Sequence, residues 1–526
     1  MIRRARRRGA PDEENGENEE HALMTRATVV LHGGTVHARR GLDAVVIGGD
    51  RILAVGRSEE LLSHVGEDAV RIDLRGRAVL PGFIDAHVHL MHTGLVESGW
   101  RIDLTKRTRK DVLECLRDAA RSRGSGEWII AYGWDESGWE DRRYLLRGEL
   151  DGVSQENPIL AIRMDGHLLT ANSRALKLLP ASAPESLVDH GPGLLREAAV
   201  NEMLARIVPD RATAEGALSA AARLCHRLGI TSVHTMSWLR DVSAFMSRRA
   251  ERRLRVTICP DVASLDKVKA VGFQTGFGDP WLRFGGIKIF ADGSIGAQNA
   301  AVSEPFVGGG TGKLNHEDAQ LASMIRDAER AGWQTVIHAI GDRAIEQVLD
   351  AHGAVGSDPA ARHRMEHFEL PQEGQLARAA KLGLCVSMQP NFIGNWSGPG
   401  SLYVDRLGAD RDRASNPLRR VVDEGLPLAF GSDGMPVSPF YGLHWAVNGP
   451  YPDQRLTAEE AVERYTAGGA WFGFEEGVKG RIEPGMLADL VVLDEDPLLR
   501  PDRIGKRTVD MTFVGGGRVY EREGAV

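Results

Sequence analysis

Between residues 81 and 474, short apolar runs alternate with stretches whose apolar residues recur at helical spacing. The runs FIDAHVH (83–89), ITSVHT (230–235), LRVTIC (254–259), FGGIKIF (284–290), QTVIHAI (334–340), RMEHF (364–368), LCVSMQ (384–389) and PLAFGSD (427–433) read as strands rich in β-branched residues. Helical stretches such as EDAQLASMIRDAERAG (317–332) and RAIEQVLDAHGA (343–354) separate most of them. Strand and helix in alternation predict βα units around a parallel sheet, and eight units fit a (β/α)8 barrel better than an open sheet. The first and second runs lie more than 100 residues apart, well beyond an ordinary βα connection. Residues 105–225 are therefore expected to be an insertion with its own elements, including WIIAYGW (128–134) and PILAIRM (158–164).

The ends of the chain follow a different pattern. Residues 24–80 carry β-branched runs broken by Gly-Gly and Gly-Asp pairs, and residues 475–526 repeat that style in ADLVVLDEDP and DMTFVGGGRVYEREG. One small sheet domain assembled from both termini is the expectation. The first 23 residues are a basic block followed by an acidic one, with nothing to bury, and predict a disordered tail. Arg3 and Arg4 lack the apolar segment that twin-arginine export needs, and Met24 opens the folded part.

Composition narrows the class. The chain has 526 residues, a formal net charge of −8, 42% hydrophobic and 26% charged residues. That balance suits a soluble enzyme and argues against a nucleic-acid binder. No apolar run reaches the ~20 residues of a membrane helix, so no membrane partner is expected. Cys115, Cys225, Cys259 and Cys385 lie far apart without a CxxC pattern. They predict no disulfide framework and a reducing, cytoplasmic location.

The candidate chemistry sits at strand ends. His87 and His89 are two residues apart on the first strand, so their side chains share a face and can grip one ion. His338 and His367 end two later strands, and Asp433 ends the last. Active sites of barrels gather at that rim. A carboxylate there can hold a metal and take a proton from a water whose pKa zinc lowers to about 7. Lys288 lies within an apolar strand, where a charged amine needs a carboxylate partner or conversion to a carbamate.

In this order the motifs resemble the amidohydrolase superfamily, and within it amidohydrolase family 3, the branch that includes N-substituted formamide deformylases. The resemblance spans about residues 27–521 and rests on PGFIDAHVHL, KIFADGSIGAQNA, VIHAIGDRAIEQVL, RMEHFEL, AFGSDGMPV and GRIEPGMLADLVVLDEDP. It implies a TIM-like metal-dependent hydrolase barrel with a small β-sandwich built from both termini. It also implies hydrolysis of a carbon–nitrogen bond in a small-molecule amide or formamide by metal-activated hydroxide. A cyclic amide, carbamate or ester substrate, or a non-hydrolytic isomerase or decarboxylase, is the alternative. Carried over by position, His87, His89 and Asp433 hold one divalent metal ion and His338 and His367 a second. Carboxylated Lys288 bridges them, zinc is the first choice of metal, and Asp433 shuttles the proton. In the insertion, RMDGHLLTANSRAL places His167 against substrate or its oxyanion, and AYGWDESGW makes Trp134 and Trp139 candidate lining residues. Arg343 is a candidate for a substrate carboxylate. Two positions depart from the pattern: Thr235, where an acidic residue is common, and SMQPNFIGNW, whose Asn391 and Trp396 mark an individual substrate preference. A homodimer is the expected assembly.

Overall fold

The computed structural model describes residues 26–38 and 41–525; the basic and acidic tail read from the first 23 residues lies outside them. The barrel strands are β1 (Phe83–Val88), β2 (Ile230–Ser237), β3 (Arg255–Pro260), β4 (Ile287–Phe290), β5 (Thr335–Ala339), β6 (Arg364–His367), β7 (Cys385–Met388) and β8 (Leu428–Phe430). All neighbouring pairs are parallel. They form two arcs. A short strand, Leu282–Phe284, extends the first arc from β3, and β4 begins the second. Gly285 and Gly286 separate these two pieces of one chain segment. A Cβ on Gly286 would lie 2.6 Å from Val336 Cγ2 and 2.7 Å from the Gln334 carbonyl, so only glycine lets the segment pass from one arc to the other.

The segment after β8 bonds to β1 where the site lies. The Asp433 N–H donates to the His87 carbonyl at 2.7 Å, and the Ser432 N–H and hydroxyl both donate to the Asp85 carboxylate. Gly431 permits this approach, because a Cβ there would sit 2.5 Å from the His87 nitrogen. Outside the ring, the helix Asp318–Arg330 buries Leu321, Ile325 and Ala328, one face at helical spacing. The helix Arg211–Arg227 is capped by Asp210 and packs Ala217, Leu218, Ala221 and Cys225 into the barrel core. It is the helix leading into β2, although it falls within the stretch read as insertion.

The insertion folds around a six-stranded sheet whose edge strand, Ile102–Asp103, lies ahead of residue 105. Alternation along Ile129–Trp134 and Ile159–Arg163 feeds two cores. Ile129, Ala131, Ile159 and Ala161 face one side, and Ile130, Tyr132, Leu160 and Ile162 the other. The terminal segments build the β-sandwich. A four-stranded sheet holds Val29–His32, Ala44–Gly48, Arg51–Gly56 and Val70–Asp73. A five-stranded sheet joins Thr35–Val36 and Ala78–Pro81 to Leu490–Leu493, Val509–Val514 and Gly517–Glu521. Leu31, Val45 and Ile47 of one sheet share a core with Leu490, Val492 and Phe513 of the other. The buried Arg255–Asp489 pair, at 2.6 Å, ties the sandwich to the barrel. Among the described residues, no helix is long and apolar enough to cross a membrane.

Candidate metal centre

β1 delivers His87 and, one residue past its end, His89; β8 leads into Asp433, whose φ of +52° turns the chain back over the rim. One ligand atom from each of the three lies within 4.8 Å of the others. His89 Nε2 is 3.1 Å from Asp433 Oδ1, and His87 Nε2 is 3.5 Å from the same oxygen. His87 Nε2 and Asp433 Oδ1 are buried and have no hydrogen-bond partner among the described residues. Two orphaned buried polar atoms facing one point are costly, and a cation between them removes that cost. The donor set of two imidazoles and a carboxylate therefore fits a divalent metal ion.

His87 is aimed by a carboxylate that the sequence reading passed over. Its Nδ1 contacts Glu366. Glu366 in turn takes two bonds from Arg364, at 2.8 and 3.0 Å, and Arg364 also donates to the Ala86 carbonyl. Arg364 and Glu366 stand two apart on β6 and share its inner face. The signal was present in RMEHF: two opposite charges inside a buried strand have to pair.

His338 and His367 are adjacent, with ring centroids 4.5 Å apart and His367 4.9 Å from His87. Left-handed backbone at His367 (φ +74°) and Phe368 (φ +51°) interrupts the strand alternation here, a strain typical of functional sites. His338 Nε2–H donates to the Gly293 carbonyl at 3.0 Å, with Asp292 Oδ1 3.4 Å away, and its buried Nδ1 has no partner among the described residues. His367 Nδ1–H donates to Gln389 Oε1 at 2.7 Å. Burial holds His87, His338 and His367 well below the ordinary histidine range, so their lone pairs are available. Asp433 is pushed up by its own burial, but His87, His89 and Lys288 outweigh that and hold it below the usual range.

Lys288 is 3% exposed, and its Nζ has no hydrogen-bond partner among the described residues. The ammonium lies 4.7 Å from the Phe290 ring centre. Burial pulls its pKa down to about 8 against the attraction of Glu366 and Asp433. The bonded carboxylate partner that a buried ammonium would need is not in place.

The insertion covers the mouth. His167 stands 5.0 Å from His338, ring to ring, and its Nδ1 meets Glu197 Oε2 at 2.9 Å. Burial would lower its pKa, but Glu197, then Asp165 and Asp433, raise it to about 9. Beside it the buried Arg163 is bound by Glu136 at 2.9 Å and Asp165 at 2.7 Å, and Asp165 accepts from Ser294 on the barrel side. Together these elements line an open cavity of about 330 Å³, whose wall includes His167, His338, His367, Asp433, Phe392 and Tyr403.

Two expected substrate contacts lie elsewhere. Trp134 is fully buried in the insertion's core, stacked on Trp139 at 5.7 Å, with its Nε1–H on the Ala161 carbonyl. The strand pairing skips Gly133, whose φ is +101°, and this bulge swings Trp134 onto the face of Ile129 and Ala131. Arg343 is exposed on the first turn of the helix Asp342–Val355, away from the cavity lining, and its N–H holds the Ala301 carbonyl. Trp396 does line the cavity, whereas Asn391 donates to the Pro436 carbonyl. Thr235 accepts from the Leu90 N–H and so secures the chain just after His89.

A parallel barrel with histidines and a carboxylate converging at its C-terminal rim defines a metal-dependent hydrolase. The chain belongs to the amidohydrolase family, whose model matches residues 71–520. It is 29% identical to the N-substituted formamide deformylase of Arthrobacter pascens, over 93% of this chain and 97% of that protein. It is also 29% identical to YtcJ of Bacillus subtilis, over 94% and 99% of the two chains. A metal-dependent hydrolase from Pyrococcus furiosus superposes with a TM-score of 0.72 at 29% identity, covering 89% of this chain and 99% of that one.

Proposed function

We propose that the protein hydrolyses the carbon–nitrogen bond of a small non-peptide amide or formamide, releasing a carboxylic acid or formate and an amine. The observation that carries this reading is the convergence of His87, His89 and Asp433, two of whose buried ligand atoms have no partner among the described residues, beside a cavity that Asp433 lines. The likeness to a formamide deformylase supports the choice of bond. His87, His89 and Asp433 would hold one divalent ion, zinc being the first choice, and His338 and His367 a second, with Lys288 between them as a carbamate. A bound ion supplies Lewis acidity and lowers the pKa of a water to about 7.

The chain's own groups do the rest. Asp433 accepts the proton of the attacking water and passes it to the departing nitrogen. It is suited to this because its neighbours keep it ionised. His167, protonated through its pairing with Glu197, offers its other ring N–H to the carbonyl oxygen as charge develops there. Arg364 and Glu366 hold His87 in one orientation. The insertion contributes Arg163, Asp165 and His167 to the cavity wall and so narrows the access of water. Metal-loaded full-length protein screened against N-formyl and N-acyl amines is expected to release free amine. Rearrangement, or no reaction, without amine release from any of them would overturn the proposal.

A further inference from the structure

The cavity lining also carries a carboxylate, Glu369, that the metal centre does not employ and that the fold uses through one oxygen only. Glu369 is 1% exposed and lines the cavity. Its Oε2 accepts from the Tyr403 hydroxyl at 2.7 Å and from Asn416 Nδ2 at 3.1 Å. Its Oε1 has no hydrogen-bond partner, and the carboxylate has no ion-pair partner, among the described residues. The one arginine on the same lining, Arg163, is already engaged by Glu136 and Asp165. An aromatic wall leads from the metal centre toward this group. The rings of His367 and Phe392 lie 5.8 Å apart and nearly parallel, Phe392 and Trp396 are 5.0 Å apart, and Trp396 and Tyr403 are 6.0 Å apart. Trp396 is fixed by its Nε1–H on Asp135, and Ile295 and Met435 complete the apolar lining.

Burial pushes the Glu369 carboxyl up to about 7, because a carboxylate buried without a counter-charge is costly, and aromatic faces attract cations. The two together form a receptor for an organic ammonium. We infer that Glu369 is a specificity-determining residue and that the substrate carries a protonated amine besides the scissile bond. The inference rests on the reading of the protein as an amide hydrolase and names its substrate class: N-acyl or N-formyl derivatives of linear diamines. The amide lies at His87, His89 and Asp433, the methylenes run along Phe392 and Trp396, and the ammonium donates to Glu369 Oε1. Water adds across the carbon–nitrogen bond, so the products are the acid and a free diamine.

The test compares two formamides on metal-loaded full-length protein. One is the N-formyl derivative of a linear alkyl diamine, and the other is the isosteric N-alkylformamide in which a methyl group replaces the ammonium. Wild-type kcat/KM is expected to favour the diamine derivative by about tenfold or more, the scale of one charge-assisted hydrogen bond. In Glu369→Gln, which keeps shape and hydrogen bonding but removes the charge, the ratio is expected to fall close to one. Independently of any variant, the free diamine should inhibit hydrolysis of the alkylformamide by the wild type about tenfold more strongly than the matched monoamine. Equal turnover of the two formamides, or equal inhibition by the two amines, overturns the role of Glu369 and leaves amide hydrolysis standing. Release of no amine from either formamide or from the wider panel overturns both.

Discussion

His87, His89 and Asp433 occupy one side of the barrel mouth, and His338 and His367 the other. All five come from strand ends, yet the two sides are prepared differently. On the first side, His87 Nε2 and Asp433 Oδ1 point at a common space with no other partner, and an outer carboxylate fixes His87 through its far nitrogen. On the second, His367 spends one nitrogen on the neutral Gln389 amide, and His338 spends one on the Gly293 carbonyl with the Asp292 carboxylate 3.4 Å from the same nitrogen. Placement at a strand end makes a residue a candidate ligand. The group on its other nitrogen sets how strongly it binds, since an anionic partner raises imidazole basicity more than a neutral one does. On this reading the first side is expected to be the tighter site, since Glu366 contacts His87 directly whereas Asp292 stands 3.4 Å from His338.

The sharpest way to break this comparison is to remove a ligand from each side. Asp433→Ala and His87→Ala are expected to lower turnover by about 10²–10⁴-fold or more, the scale of a lost general base, with the fold retained. Elemental analysis after reconstitution should find the ion of that side gone. His338→Ala should keep that ion. Near-normal turnover in either of the first two purified variants would sink the assigned roles. Equal metal loss in all three would erase the distinction between the sides.

Lys288 is the residue proposed to link the two sides. If its amine is carboxylated, Lys288→Ala should lose most activity and regain part of it when a short-chain carboxylic acid is added, because the acid restores two oxygens where the carbamate stood. A variant whose rate equals that of the wild type without any additive would remove Lys288 from the site. Glu366→Gln is the finer probe. It keeps a hydrogen bond to His87 but removes the negative charge. The affinity of the apoprotein for zinc is expected to fall by about 10–100-fold, read by titration against a competing chelator, while Gln389→Ala on the other side changes it less.

The sequence predicted the barrel well for a physical reason. Strands of a parallel barrel are buried on both faces, so each appears as a short apolar run, and all eight runs correspond to strands. The ligand candidates were legible for the same reason: a polar residue ending such a run stands out. The insertion was less legible. Trp134 follows an apolar run as His87 does, but the bulge at Gly133 reverses which face it meets, and nothing in AYGWDESGW distinguishes a bulge from a regular strand. Glu369 and Tyr403 were also missed. They lie 34 residues apart and meet only in the folded chain.

The smallest expected effect concerns the lid over the second side. Burial works against a charge on His167, but Glu197 outweighs it and lifts the pKa to about 9, above the ordinary value of 6.5. A raised pKa means that the folded state binds the proton more tightly than the unfolded chain. The pair therefore contributes stability that is complete below about pH 6.5 and is lost as pH rises through about 9. Glu197→Gln removes the charge that does the lifting. The variant should lose more thermal stability near pH 6 than near pH 10, and the alkaline limb of its kcat/KM profile should move to lower pH, with a loss of a few-fold near pH 8. If the limb stays in place while the stability difference appears, His167 clamps the insertion without touching the reacting carbonyl, and the chemistry belongs wholly to the barrel rim.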